Sequence, residues 1–202
     1  MAAGKKGCLI CFVIVGALIL LAYPSIKRTH DQLKTFDQGI MAAWTKLEGL
    51  LQRRMDLVPN YIETVKLHAP HEQEVFGAVT RAHLKAATAL LRPNKIAANN
   101  DLTIALDQLQ AVAERYPDVQ ADQNFIRLRD ELVGIENGIA DECLQYNEAV
   151  KAYNAYRQEF PADIVAALSG FGKAFPLDVP GKAQGPPGSG PEPAPPSSSS
   201  DR

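Results

Sequence analysis

Apolar residues recur along this chain at spacings of three and four, the period of a helix face. From about Asp31 to Leu57 the repeat runs through Leu33, Phe36, Ile40, Trp44, Leu47 and Leu51, which predicts one long helix. Pro59 should end or kink it, because proline donates no amide hydrogen and pushes the residue before it toward extended geometry. The chain is therefore expected to bend or reverse at Val58-Pro59-Asn60. A second helix is predicted from about Asn60 to Thr88, carrying Ile62, Val65, Val75, Phe76, Val79 and Ala82, with a kink at Pro70.

Leu91-Arg92-Pro93-Asn94 marks a loop. A third helix fits Asn100 to Tyr116, with Asn99 or Asn100 as its N-cap and Pro117 as its stop. The fourth has the clearest pattern: Phe125, Leu128, Leu132, Ile135, Ile139, Tyr146, Ala149, Tyr153, Tyr156 and Phe160 form one stripe, broken only at Glu142. A stripe of that length packs in the coiled-coil-like manner of helix bundles. A short helix from Ala162 to Leu168 and the run Ser169 to Phe175 should close one end of the bundle.

The two ends of the chain differ in composition from its middle. Residues 7–23, GCLICFVIVGALILLAY, carry no charge, and counting on through Ile26 gives about 20 residues or ~30 Å of helix, enough to cross a bilayer. Lys5 and Lys6 precede the segment, and no small-residue cleavage site follows it, so an uncleaved signal anchor is expected. Lys27, Arg28 and Lys34 nearly balance the two leading lysines. A short N-terminal tail favours a cytoplasmic N-terminus with the bulk of the chain outside. At the other end, Pro180, Pro186, Pro187, Pro191, Pro193, Pro195 and Pro196 make up half of the chain's 14 prolines, and four serines follow. Such a segment buries too little apolar surface to offset its ordering entropy, so a disordered tail is expected. The expected organisation is a short tail at 1–6, an anchor at 7–26, a helical bundle at 27–175 and a disordered tail at 176–202.

With 202 residues and a formal net charge of −2, the chain is one domain with appendages. Lysines and arginines are interspersed with acids and form no basic stripe, which argues against nucleic acid as a partner. Cys8 and Cys11 lie inside the apolar segment, a poor context for a redox pair, and Cys143 stands alone in the rest of the chain.

Chemistry is scarce. His68, His71 and His83 lie near Glu72 and Glu74, but no Glu-x-x-His occurs and the second histidine of a zinc-protease motif is missing. There is no Gly-x-Ser-x-Gly and no phosphate-cradling glycine loop. Neither catalysis nor a cofactor or metal is expected. Tyr146, Tyr153, Tyr156 and Phe160 have the spacing of ordinary core. The densest polar cluster is Gln52, Arg53, Arg54, Asp56, Asn60 and Glu63, around Pro59 at the predicted helix junction. Asp56 and Asn60 are expected to cap helix ends there, with the arginines paired to carboxylates of the adjoining helix. The alternative is a surface gripping a partner protein or anionic lipid.

Several segments in order resemble the LemA family. They are Ala43-Trp44, Leu51-Gln52-Arg53-Arg54-x-Asp56-Leu57-x-Pro59-Asn60, Glu63-Thr64-Val65-Lys66, His71-Glu72-x-Glu74-Val75-Phe76, Ala111-Val112-Ala113-Glu114-x-Tyr116-Pro117-Asp118, Asn124-Phe125, Glu136-Asn137-x-Ile139-Ala140 and Tyr146-Asn147-x-Ala149-Val150-x-x-Tyr153-Asn154. The resemblance spans roughly residues 30 to 175. It implies an all-α, single-pass bacterial membrane protein: an N-terminal transmembrane helix, then an up-and-down four-helix bundle with long helices. It implies no established enzymatic activity. Pro70, the acidic Asp141-Glu142 before Tyr146-Asn147, and the proline-serine tail depart from the family pattern.

The expected function is a non-catalytic scaffold or adaptor of the bacterial cell membrane, its bundle extracytoplasmic. It would touch the bilayer through residues 7–26 and bind a membrane or envelope protein. Lateral self-association that shapes membrane is the alternative, and a receptor or enzyme with a polar site between Arg53 and Glu63 is a third reading.

Overall fold

The computed structural model describes residues 3–178, with side chains from Tyr23 onward. Among the described residues there are six helices and no strand: α1 (Ala3–His68), α2 (Gln73–Thr88), α3 (Arg92–Ala113), α4 (Pro117–Ala121), α5 (Gln123–Arg157) and α6 (Ala162–Ser169). The fold is all-α, as expected. No helix among the described residues is long and apolar enough to cross a membrane. Most of the span expected at 7–26 falls on side chains outside that description, as does the tail from residue 179.

α1 does not end at Pro59. It runs 66 residues, about 100 Å at ~1.5 Å per residue. Pro59 leaves the carbonyl of Met55 without its helical partner, and His83 Nε2 on α2 lies 2.9 Å from that oxygen. A neighbouring helix thus satisfies the group that proline orphans, and the helix continues. Pro70 does break the chain, where only a kink was expected. By that point α1 has reached the start of its antiparallel neighbour, with His68 beside Asp122, so no flanking helix holds a further turn. The second helix therefore begins at Gln73 rather than Asn60.

α3 starts eight residues earlier than the predicted Asn100. Pro93 sits in its first turn, where the missing N–H would have no intrahelical partner anyway. Asn99 and Asn100, the expected caps, lie inside the helix. α5 is capped by Asp122, whose carboxylate accepts from the amides of Asn124 (2.7 Å) and Phe125 (3.0 Å). The apparent break in its stripe at Glu142 is filled by Cys143, fully buried between Ile139 and Tyr146. A buried thiol packs as a small apolar group, and burial pushes its pKa up to about 11. Phe160, expected at the end of the stripe, is exposed, because α5 stops at Arg157.

α1 and α5 pack antiparallel along most of the bundle, and α2 and α3 form a hairpin against them. Where all four meet, the order is up-down-up-down around a distal core that includes Val58, Tyr61, Val65, Phe76, Val79, Leu102, Leu109, Phe125 and Leu128. Nearer the N-terminus the hairpin reaches only with the start of α3, which buries Ile96. There α1 and α5 enclose a proximal core of Leu33, Ile40, Trp44, Leu47, Ile135, Ile139, Tyr146, Val150 and Tyr153, completed by Val165 and Ala166 of α6 and by Leu177. Leu177 is 6% exposed, so the packed chain extends past Phe175, where the bundle was expected to end.

Candidate functional site

The seven residues of the expected polar cluster all lie on the uninterrupted part of α1, so helix geometry decides where each goes. Gln52, Asp56, Pro59 and Glu63 are spaced by four, three and four and share one exposed face. Gln52 donates to Asp56 (2.9 Å), and Glu63 pairs with Lys66 (3.0 Å). Gln52, Asp56 and Pro59 line a shallow open groove with Met55 and His83. Arg53 and Asn60 stand on another exposed face, and Arg53 bonds Glu131 of α5 at 2.6 Å. Asp56 and Asn60 cap nothing, because no helix ends there. The cluster is not one site.

Arg54 goes inward. It is 2% exposed, the largest fully buried side chain among the described residues. Its Nη1 donates to Asn99 Oδ1 (3.0 Å) and Thr103 Oγ1 (2.9 Å) of α3, and its Nη2 lies 3.9 Å from Glu136 of α5. Burial pushes the guanidinium pKa down while Glu136 and Asp107 oppose it, and arginine starts high enough to stay cationic. Nε of Arg54 and Nδ2 of Asn99 find no hydrogen-bond partner. A partly open crevice of about 30 Å³ lined by Arg54, Asp107, Gln110, Arg129 and Glu136 is large enough for one water. This polar seam ties α1, α3 and α5 together at the waist between the two cores. The arginines were expected to pair with the helix adjoining at Pro59, but no junction exists there and both face carboxylates of α5 instead; nor did the sequence separate the buried arginine from its exposed neighbour. The separating signal is phase: Arg54 falls on the Leu47–Leu51–Val58 stripe and Arg53 does not.

A second arrangement involves the run Ser169 to Phe175, expected to close one end of the bundle, but not expected to be clamped along α5. After α6, Gly170 takes a left-handed conformation (φ 77°), and the chain then runs back along α5 as an extended strap over residues 171–178. Asn154 donates to the carbonyl of Ala174 (2.8 Å) and accepts from its amide (3.1 Å). Asn147 does the same for Leu177, at 2.8 and 2.7 Å. Tyr153 Oη donates to Gly172 (2.7 Å) and Arg157 Nε to Phe171 (2.8 Å). Seven residues of helix rise about 10.5 Å and three of extended chain about 10 Å, so asparagines one heptad apart meet every third strap residue. The two side-chain amides stand in for a neighbouring β-strand. The repeat Tyr146-Asn147 and Tyr153-Asn154 was the legible signal for it.

Trp44 sits between the two arrangements. Its Nε1 donates to Glu48 (3.1 Å), and the guanidinium of Arg92 lies 5.0 Å from its ring. Lys95 pairs with Glu48, which lowers the carboxyl pKa. The start of α3 is thereby pinned to α1. The histidines are dispersed: His68 contacts Asp122, and His83 contacts Met55. No group of three metal-ligating side chains comes together among the described residues.

The chain is 22% identical over 196 residues to "Magnetosome protein MamQ 2" of Paramagnetospirillum magneticum, covering 84% of this chain and 72% of that protein. It is 22% identical over 184 residues to "Magnetosome protein MamQ" of Magnetospirillum gryphiswaldense, covering 78% and 68%. A sequence model of the LemA family matches residues 43–187, from Ala43 beside Trp44 through the Arg54 seam and the asparagine-clamped strap; the chain belongs to the LemA family.

Proposed function

We propose that this protein is a membrane-anchored, non-catalytic adaptor of the bacterial envelope, which presents a rigid helical bundle to a membrane or envelope protein. The observation that carries this reading is the continuity of α1. The same helix that carries the uncharged segment 7–23 forms a wall of both cores, with no linker between. Side chains buried from Leu33 to Val65 fix its position along most of the bundle. A bundle joined to its anchor in this way cannot swing freely, so its exposed faces are held at set heights above the bilayer. Such a fixed height suits docking of a partner that is itself membrane-bound. The relatives named for magnetosomes, a bacterial organelle, favour a membrane setting without naming a partner. The expected orientation keeps the N-terminus cytoplasmic and the bundle outside.

In-cell photo-crosslinking tests the reading. The probe belongs at the exposed Gln52, beside Arg53, since Arg54 is buried. Capture of a specific membrane or envelope protein, lost when Glu131 and Arg53 are both replaced by alanine, is expected. Adducts only between copies of the chain would favour lateral assembly instead. A reporter fused after α6 that is active only in the cytoplasm would reverse the orientation.

A further inference from the structure

The N-terminal end of the bundle carries an apolar surface that nothing among the described residues covers. α6 buries Ala162, Val165 and Ala166 but leaves Ile164 51% and Leu168 83% exposed, and Phe160 just before it is 82% exposed. Ile164 and Leu168 are four apart and share a helix face. Tyr23 and Ile26, on α1, are exposed as well. Scattered exposed apolar side chains are ordinary, but a concentration at one end of a molecule marks a contact surface.

The height of this surface identifies its occupant. α6 and the start of the strap that follows it are seated on α1 around Thr29, His30 and Leu33. Thr29 is buried, the Phe171 ring lies 5.5 Å from His30, and Val165 and Ala166 share a core with Leu33. The apolar segment of α1 ends at Ile26, three to seven residues earlier on the same helix, or ~5–10 Å along its axis. The headgroup layer on each face of a bilayer is roughly 5–7 Å thick. Lys27 and Arg28 are exposed at this level and suit anionic headgroups. Glu159 and Asp163 are exposed there too, so apolar contact rather than net charge commits the surface to lipid.

We propose that α6 and Phe160 form a lipid-contact foot, in which Phe160, Ile164 and Leu168 enter the headgroup–acyl boundary beside the anchor and set the tilt of the bundle on the membrane. This rests on the anchor reading above. With the helix held at one point only, the bundle could lean in any direction; a second contact to the side of the axis leaves one preferred tilt.

The test uses the full chain in vesicles of phosphatidylethanolamine and phosphatidylglycerol containing a lipid spin-labelled near its headgroup, with parallel vesicles labelled near the end of the acyl chain to read the probe at position 15. Cys8 and Cys11 are replaced by serine, and the fully buried Cys143 is kept. An environment-sensitive fluorophore is placed in turn at Leu168→Cys, Val15→Cys and Leu84→Cys; Leu84 is an exposed α2 residue about 40 Å further along the bundle. The probe at position 168 is expected to shift to the blue and lose most of its emission to the spin label, while the probe at position 84 keeps its own. If the probe at 168 behaves like the one at 84 while the one at 15 is quenched, the foot is overturned and the anchor stands. If the probe at 15 is also unquenched, both readings fall. Shielding of the probe at 168 that persists in detergent and grows with protein concentration would assign the surface to a second copy and overturn the proposal.

Discussion

The two halves of the bundle solve the same packing problem with different means. At the distal end four helices surround an almost wholly apolar core, and each stripe is covered by its neighbours. At the proximal end α1 and α5 run on, with α3 reaching in only by its first turns at Arg92, Lys95 and Ile96, and two helices cannot close the rest of a core. The open side is sealed by α6 and by an extended strap whose backbone is held by Asn147, Tyr153, Asn154 and Arg157. Distal stability thus comes from helix on helix, and proximal stability depends on polar groups that fit an irregular segment to a regular one. Between them lies the Arg54 seam, where polar groups of α1, α3 and α5 meet.

The largest test of this contrast is to remove equal volume from each core. Leu109→Ala in the distal half and Leu47→Ala in the proximal half, both fully buried, are each expected to cost about 3 kcal/mol. If the halves unfold as one unit, both variants lower the same melting transition and accelerate exchange of amides throughout. If they are separable, Leu47→Ala opens proximal amides first and leaves those of α2 and α3 protected. Hydrogen exchange read by mass spectrometry distinguishes the two.

Arg54→Ala comes next. It strands Asn99, Thr103 and Glu136 and empties a large side-chain volume, for an expected loss of about 2–3 kcal/mol. Arg54→Met keeps most of the volume and should recover part of that loss. Glu136→Gln should cost less than either, since Glu136 is about a third exposed and lies at 3.9 Å. Chemical denaturation of the three variants checks the order. If Arg54→Met proved more stable than the parent, the seam would serve to fix which helices pair rather than to add stability.

The same contrast explains what the sequence made legible. Helix faces follow from periodicity, so Leu33 through Leu51 on α1 and Phe125 through Tyr153 on α5 could be placed by spacing alone. Helix ends could not, because a proline's effect depends on its neighbours. Pro59 is bridged by His83, Pro93 opens a helix, and Pro70 breaks one where the opposing helix has run out. The candidate site suffered in the same way: six polar residues and Pro59, close in sequence, were spread over three directions once the helix through them proved continuous. The strap is the hardest case, since its conformation is set by asparagines about 20 and 30 residues earlier and by no pattern of its own.

A smaller effect confined to the proximal half is expected from Asn147→Ala. It removes both hydrogen bonds to Leu177 and leaves that backbone amide and carbonyl unpaired at the edge of the core, for about 1–2 kcal/mol. Exchange should quicken at Ala174 and Leu177, with the amides of α2 and α3 unchanged. Asn147→Asp keeps the acceptor for the Leu177 amide but sets a carboxylate against the Leu177 carbonyl. It should therefore release the strap at neutral pH as effectively as alanine does. Equal protection in all three proteins would mean that burial of the Leu177 side chain alone holds the strap.

The distal half has one tether of the same kind, from His83 to the Met55 carbonyl freed by Pro59, and a double-mutant cycle measures it. His83→Ala alone should cost about 1 kcal/mol, because a half-buried carbonyl then lacks a partner. Pro59→Ala restores the amide that bonds Met55 within α1. In that background His83→Ala should cost less by several tenths of a kcal/mol or more, since the helix supplies its own donor. A coupling of that sign, read from urea denaturation of the four proteins, would show that the distal bundle uses a side chain to mend a helix as the proximal half uses side chains to hold a strap. Additive costs would mean that His83 acts through packing against α1 and that the unbroken course of α1 past Pro59 depends on the apolar core around Val58 and Ile62 alone.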